Sequence, residues 1–329
     1  MTKVSIPRLA AVARRHPWPV FCCRRAVRLL VSLFLVVTGS FTMIRLIPGD
    51  PVRAALGVDA DPALVAAERQ ELGLDQDLLT QYRNWLADLT HGRLGTSLVT
   101  GEPVAELMRT RLPATLEIAV LAFLCVLVVA LPGGLLAAVL TRDGRRPRGE
   151  AAFTAATAVL AGLPDFVLAA GLTAGLAVGL RLFPVAGTTT PASYVLPVLA
   201  LALAPAAALT RIVRVETLKV LGEDYLRTAR AQRLPALRIH LRHAAPNMLT
   251  ASLTVAGGLL PAMIAGTVLV EKVFAWPGVG SAIAQSVVAQ DYPVVQAAVI
   301  VLGSAVLVMN VIVDAALALL DPRSALRES

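Results

Sequence analysis

Lysine is nearly missing from this 329-residue chain. It occurs only at Lys3, Lys219 and Lys272, and none of the three follows a glycine. A phosphate-binding loop needs Gly-Lys-Ser/Thr, a glycine-rich backbone that cradles phosphates while the lysine reaches them. ATP hydrolysis by that route is therefore excluded. Histidine is nearly as scarce: His16, His91, His240 and His243 open no His-Glu-x-x-His pattern, which disfavours a zinc protease. No Gly-x-Ser-x-Gly elbow of a serine hydrolase is present. The three cysteines, Cys22, Cys23 and Cys125, form neither a disulfide framework nor a zinc-ligand spacing.

What the chain has instead is apolar length. It is 57% hydrophobic with a mean hydropathy of +0.72, where ordinary soluble domains run roughly 45–50% apolar. Apolar runs of about 20 residues recur, each enough to cross a bilayer as a helix. They predict six spans at roughly 27–47, 114–140, 152–180, 193–213, 247–270 and 293–320. The run 152–180 is interrupted by Gly162 and Pro164, and 247–270 by Gly257, Gly258 and Pro261. Such breaks suit a transport bundle better than a simple anchor, because neighbouring helices or a cavity must satisfy the freed backbone groups. The first 28 residues hold seven basic residues and no acid. The apolar run after them leaves through Arg45-Leu46-Ile47-Pro48-Gly49-Asp50 rather than a small-residue cleavage site, so an uncleaved first span is expected. With the N-terminus inside, the inner segments carry twenty basic residues against eight in the outer ones, the positive-inside bias. The domain reading is a cytoplasmic arm 1–26, a first span 27–47, an extracytoplasmic loop 48–113, a five-helix core 114–320 and a cytoplasmic tail 321–329.

Two polar segments carry structure of their own. In the long loop, Asp61-Pro62 is a helix start and Gly73 a stop. A second helix shows one apolar face, Leu78, Leu79, Tyr82, Trp85, Leu86 and Leu89, and ends near Gly92. This loop reads as a helical cap, packed on the bundle or offered to a soluble partner. Between the fourth and fifth spans, the basic segment 214–246 reads as two short helices. The first begins near Gly222-Glu223-Asp224, with acids suited to a helix N-terminus, and ends by Leu234 because Pro235 disfavours helix before it. Pro235 then opens the second. The candidate intramembrane carboxylates are Glu117, Asp165 and Asp314. Asp314 lies one turn after Asn310, and the pair reads as a hydrogen bond between helices or as part of a transport path. The spans hold no His/Met/Cys cluster, which disfavours a bare metal ion as cargo.

Several separated strings resemble the permease subunits of binding-protein-dependent ABC importers of the dipeptide/oligopeptide/nickel family, the first of the two paired permeases. They are Ile44-Arg45-Leu46-Ile47-Pro48-Gly49-Asp50-Pro51, Leu72-Gly73-Leu74-Asp75, Gly95-Thr96-Ser97 and Arg111-Leu112-Pro113-Ala114-Thr115-Leu116-Glu117. Glu223-Asp224-Tyr225 running into Arg227-Thr228-Ala229-Arg230-Ala231 follows, then Arg242-His243-Ala244. The tail adds Glu271, Val273-Phe274, Trp276-Pro277-Gly278, Asp291-Tyr292-Pro293-Val294-Val295-Gln296, Asn310, Asp314 and Asp321-Pro322-Arg323.

The resemblance implies an all-α polytopic membrane protein, a six-helix type I ABC importer permease with a helical extracytoplasmic loop, in a bacterial inner membrane. It implies a non-catalytic subunit working with a second homologous permease, two ATP-binding subunits that hold ATP and Mg, and an extracytoplasmic solute-binding protein. Carried onto this chain, Glu223, Asp224, Tyr225, Arg227, Ala229, Arg230, Ala231 and Arg233 would dock the ATPase. Glu271, Phe274, Trp276, Pro277 and Gly278 would form the outer gate facing the binding protein. One position departs: where the family pattern has glycine between the two coupling helices, this chain has Arg233, and a left-handed residue there would cost about 1 kcal/mol. The cargo expected is a short peptide or related small solute, with nickel or metal chelates and glutathione as alternatives. A membrane-embedded enzyme and a proton-coupled secondary transporter are the competing classes. The absent motifs count against the first, and the docking segment against the second.

Overall fold

A computed structural model of the protein describes residues 17–46, 52–53, 60–71, 73, 75–142, 146–225, 235 and 245–320. Among them the backbone is helical, apart from loops and one isolated bridge between Thr96 and Pro103. The helices are α1 (Pro17–Leu46), α2 (Pro62–Glu71), α3 (Leu78–Thr90), α4 (Val104–Thr141), α5 (Pro147–Gly162) and α6 (Asp165–Leu172, continuing as π-helix over Thr173–Gly179). A 3-10 turn (Pro191–Tyr194) leads into α7 (Val195–Leu221), followed by α8 (Ala245–Gly257), α9 (Leu259–Val273), α10 (Val279–Val288) and α11 (Tyr292–Leu320).

Five stretches are long and apolar enough to cross a membrane: Cys23–Met43, Val104–Thr141, Pro191–Leu221, Ala251–Val273 and Tyr292–Ala318. α5 and α6 are apolar enough to make a sixth span if taken together, and are bent by 100° at the Gly162–Pro164 interruption. Three expected boundaries shift. α1 starts at Pro17, so the end of the supposed N-terminal arm is helical. α4 starts at Val104 and runs through Pro113, whose missing N–H costs only the Arg109 carbonyl its helical donor. α7 continues past residue 213 to Leu221, because Val213, Thr217 and Leu221 keep burying one face at four-residue spacing.

The centre of the bundle is the pair α4–α7, its most extensive helix contact. On α4, Ile118, Ala122, Val126, Ala130, Gly134 and Ala138 recur every fourth residue and all are buried. The ridge is mostly small, which lets the α7 backbone come close; in lipid, where tails are as apolar as leucine, such packing rather than the hydrophobic effect holds helices together. The closest approach is at Gly134: a Cβ there would lie 2.5 Å from Val213 Cβ and 2.7 Å from the Thr210 carbonyl oxygen. The buried threonines Thr141, Thr210 and Thr217 bond the carbonyls of Ala137, Ala206 and Val213 on their own helices, so none leaves a polar atom against the apolar wall.

α1 packs on α11. As α1 is read from Arg25 through Val36 to Ser40, its partners run backwards through Asp314, Gly303 and Gln296, so the two helices are antiparallel. α3 lies against the far end of α1. Tyr82 and Thr38 share a 2.8 Å hydrogen bond, and Phe41 stacks edge-on against Tyr82 and tilted against Trp85. The aromatic half of the expected apolar face of α3 is thus covered, while Leu78 and Leu79 remain exposed. α2 starts on Asp61, whose carboxylate accepts from the Ala63 N–H. Asp77 caps α3 by accepting from the Thr80 N–H, a start absent from the sequence reading. The hydrogen bonds from Thr80 hold the Asp77 carboxyl below its ordinary range. The cap is therefore complete above that range and is lost as pH falls through the lowered value. Gly73 and Gly92 follow the two helices at φ +64° and +73°.

The α4–α7 crossing gives a first test. Gly134→Val forces the helices apart and should lower stability by about 1–3 kcal/mol, whereas Gly133→Ala, whose Cβ would meet only Thr210 Cγ2 at 3.5 Å, should be neutral. Thermal unfolding of the detergent-solubilised protein separates the two; equal melting temperatures would show that the crossing is not sterically limited.

Candidate functional site

Strings far apart in the sequence meet at one end of the bundle. Glu271, in the last turn of α9, is fully buried. Its Oε1 accepts a 2.7 Å hydrogen bond from the Thr115 hydroxyl of α4, and its Oε2 accepts a 2.9 Å bond from the Ser281 N–H of α10. The Thr115 hydroxyl oxygen in turn accepts from the Val279 N–H at 2.9 Å. The first turn of a helix leaves its N–H groups without internal partners, and an N-cap side chain ordinarily satisfies some of them. At α10 the N-cap is Gly278, which has no side chain. Glu271 supplies the carboxylate from another helix, and its negative charge suits the positive end of the α10 dipole.

The glycines of Trp276-Pro277-Gly278-Val279-Gly280 follow from this arrangement. A Cβ on Gly278 would lie 2.3 Å from Glu271 Oε2, and one on Gly280 would lie 2.5 Å from Val268 Cα. The carboxylate occupies the space that side chains would need. The turn that reverses the chain from α9 to α10 places Ala275 at φ +49°, a left-handed conformation that costs a non-glycine residue about 1–2 kcal/mol. The Trp276 N–H donates to the Glu271 carbonyl at 2.8 Å, and its indole Nε1–H donates to the Ala114 carbonyl at 3.1 Å. Tyr194 meets the Trp276 ring edge-on, with centroids 4.7 Å apart, and its hydroxyl donates to Glu117 Oε2 at 3.3 Å. Arg111 donates to Ser281 Oγ, and the Gly187 N–H to the Phe274 carbonyl.

A second joint lies at the same end. The Ser97 hydroxyl donates to Asp291 Oδ2, and the Leu98 N–H donates to Oδ1 at 3.2 Å. Asp291 is buried just before α11, so this carboxylate pins the loop ahead of α4 to the start of the last helix.

The opposite end has its own node. Arg214, on α7, donates from Nη2 to Glu150 Oε1 at 2.6 Å and from Nε to Thr141 Oγ1 at 3.0 Å, and its guanidinium lies 5.8 Å from the Phe153 ring centroid. One side chain thus ties α4, α5 and α7 together two turns before the chain reaches Glu223. The sequence puts Arg214 at the start of the basic segment 214–246, and the signal that extends the helix through it is the four-residue spacing of Val213, Thr217 and Leu221.

The predicted site residues fall as follows. Glu223, Asp224 and Tyr225 follow directly on the Gly222 C-cap of α7, with the Glu223 N–H bonded to the Val220 carbonyl and Tyr225 exposed. Arg227, Ala229, Arg230, Ala231 and Arg233 lie outside the described residues. Of the expected outer-gate residues, Glu271, Phe274, Trp276 and Gly278 are buried and Pro277 is exposed. Lys272, Val273 and Ala275 are exposed at the same turn. Asn310 is exposed, and Asp314 forms an ion pair with Arg25 of α1. Arg25 had been assigned to a basic arm, but α1 has already begun there and carries the guanidinium alongside α11.

The family described as the binding-protein-dependent transport system inner membrane component matches residues 103–325, and its N-terminal companion matches residues 20–119. The glutathione transport system permease protein GsiC of Escherichia coli strain CFT073 is 32% identical over 302 residues, covering 92% of this chain and 97% of that protein. The protein of the same name from Pectobacterium atrosepticum is 35% identical over 301 residues, covering 91% and 96%. A solved structure described as an amino acid ABC transporter with histidines aligns at a TM-score of 0.47 and 19% identity, over 66% of this chain and 94% of that one.

The Glu271 joint gives the second test. Glu271→Gln turns an amide donor toward either the Thr115 hydroxyl or the Ser281 N–H and should destabilise the protein by about 1–3 kcal/mol. Thr115→Val should do likewise, and Thr115→Ser should restore stability. Unfolding in a graded detergent titration reads all three, and a stable Thr115→Val protein would remove Thr115 from the joint.

Proposed function

The chain belongs to the inner-membrane permeases of binding-protein-dependent ABC importers, and on that premise we propose that it forms one half of a translocation path for short peptides. Membership of this family replaces the readings as a membrane-embedded enzyme or a proton-coupled secondary transporter. The partners we infer are a second homologous permease, two ATP-binding subunits carrying the ATP and Mg that this chain does not bind, and an extracytoplasmic solute-binding protein. The N-terminus is placed in the cytoplasm on the basic-residue bias between alternate segments. That orientation puts the Arg214 node and Glu223 inside, and the Glu271 joint with α2 and α3 outside.

The observation that carries the coupling reading is the exit of α7. A single helix braced by Arg214 against α4 and α5 hands Glu223, Asp224 and Tyr225 directly to the segment proposed to dock the ATPase, with Arg227, Ala229, Arg230, Ala231 and Arg233 completing it. Glutathione, named in the relatives, is itself a tripeptide, so it falls within the cargo class proposed. Substrate choice rests chiefly with the binding protein, and mass spectrometry of what that protein carries identifies the cargo; a metal chelate there would overturn the peptide reading.

Replacing Glu223 and Asp224 together by Lys should lower ATP-driven uptake at least about tenfold, the loss expected of about 1.4 kcal/mol in coupling, while the chain still reaches the membrane. Uptake and membrane content measured on the same cells decide it, and unchanged uptake would refute a docking role.

A further inference from the structure

Midway through the bundle lies a cleft of about 560 Å³, in the size range of small-molecule sites. Three helix interruptions meet on it. Pro164 comes from the α5–α6 break, Pro205 from the middle of α7, and Leu259 from the start of α9 directly after Gly257 and Gly258. Irregular backbone is tolerated at membrane depth only where protein buries it or where it lines a water-filled cavity. Asp165 is the one ionisable residue on this wall. Its carboxylate meets neither a hydrogen-bond donor nor a cation among the described residues. It sits in the first turn of α6, where the helix dipole favours a negative charge, but it accepts no backbone bond there from the described residues. Opposite it, Gly266 brings the α9 backbone close to the carboxylate: a Cβ there would stand 3.4 Å from Asp165 Oδ2. A charged side chain at this depth is costly and, in membrane proteins, faces a pathway or a partner charge.

We propose that Asp165 is the cation-selecting residue of the translocation path, meeting the ammonium or guanidinium group of a solute as it passes between α6, α7 and α9. The proposal rests on the permease reading and adds to it the charge of the group recognised. A peptide amino terminus or a basic side chain fits; an anion is repelled.

The test uses the complete importer in proteoliposomes and probes that are not its cargo. With Cys22, Cys23 and Cys125 replaced by Ser, Ala208→Cys puts a thiol on the α7 wall of the cleft. Its modification rate is compared for a trimethylammonium and a sulfonate methanethiosulfonate reagent of similar size. A negative site in a cleft enriches cations about tenfold or more, so the cationic reagent should react faster. Asp165→Asn should reduce the rate ratio about tenfold, and Asp165→Glu should preserve it. No reaction with either reagent, at residue 208 or at a second thiol from Ala204→Cys, would show that lipid or the second permease fills the cleft and would overturn the proposal. So would a ratio indifferent to Asp165→Asn. An error in the peptide assignment leaves this readout intact, and a failed ratio leaves peptide uptake intact, so the two failures are distinguishable.

Discussion

A single carboxylate, that of Glu271, holds together helices that begin more than 150 positions apart in the chain. It lies away from water, so its bonds are stronger than they would be at a surface and an orphaned partner would be costlier. Everything at this end of the bundle is arranged around it. Thr115 faces it because α4 runs helically through Pro113. Gly278 and Gly280 are glycines because the carboxylate and α9 fill the volumes their Cβ atoms would need. The strained turn at Ala275 persists because the bonds from Trp276, Val279 and Ser281 over-determine it.

The same economy of polar contacts recurs at the opposite end, where Arg214 gathers α4 and α5 onto α7 and Arg25 meets Asp314. Between these nodes the bundle changes character. Contacts there are apolar, with alanine, glycine and valine packed among leucine and methionine, and three helix interruptions gather on one cleft. Directional bonds fix the ends, whereas small-residue packing and broken backbone set the middle. A bundle so built resists distortion at its rims and concentrates compliance near Pro164, Pro205 and Gly257–Gly258, since kinks arise where the helical hydrogen-bond ladder is interrupted.

Hydropathy made the spans legible, and glycine with proline made their breaks legible, because both are properties of local sequence. The two helices of the long loop were equally readable: Asp61-Pro62 and Gly73 act on their immediate neighbours. The partners of the polar residues were not. Glu271, expected at the outer gate, caps a helix it does not belong to, a relation that exists only once α4, α9 and α10 are packed. Arg25 and Arg214 fall outside the expected spans, in the basic arm and the basic segment 214–246, because charge discourages a membrane assignment, yet each is carried on a long helix and paired with an acid from another one. The family strings did hold this information in latent form: Arg111–Glu117 meets Glu271–Gly278, and Ser97 meets Asp291, so the strings are two halves of the same joints.

α7 is the element that unites these features. Its lead-in turn places Tyr194 against Trp276 and Glu117, its middle contributes Ala204, Pro205 and Ala208 to the cleft, and its last turns carry Arg214 and deliver Glu223. One helix therefore runs from the Glu271 joint past the cleft to Glu223. Pro205 has no N–H for the Leu201 carbonyl, so the ladder is weakest beside the cleft. Under the coupling reading, a displacement applied at Glu223 moves the Arg214 half of α7 with α4 and α5 as one braced body. The bend is taken up at Pro205, while the Glu271 joint keeps the other half in place. The cleft is then the part of the structure whose shape responds, which is where a permease must change most.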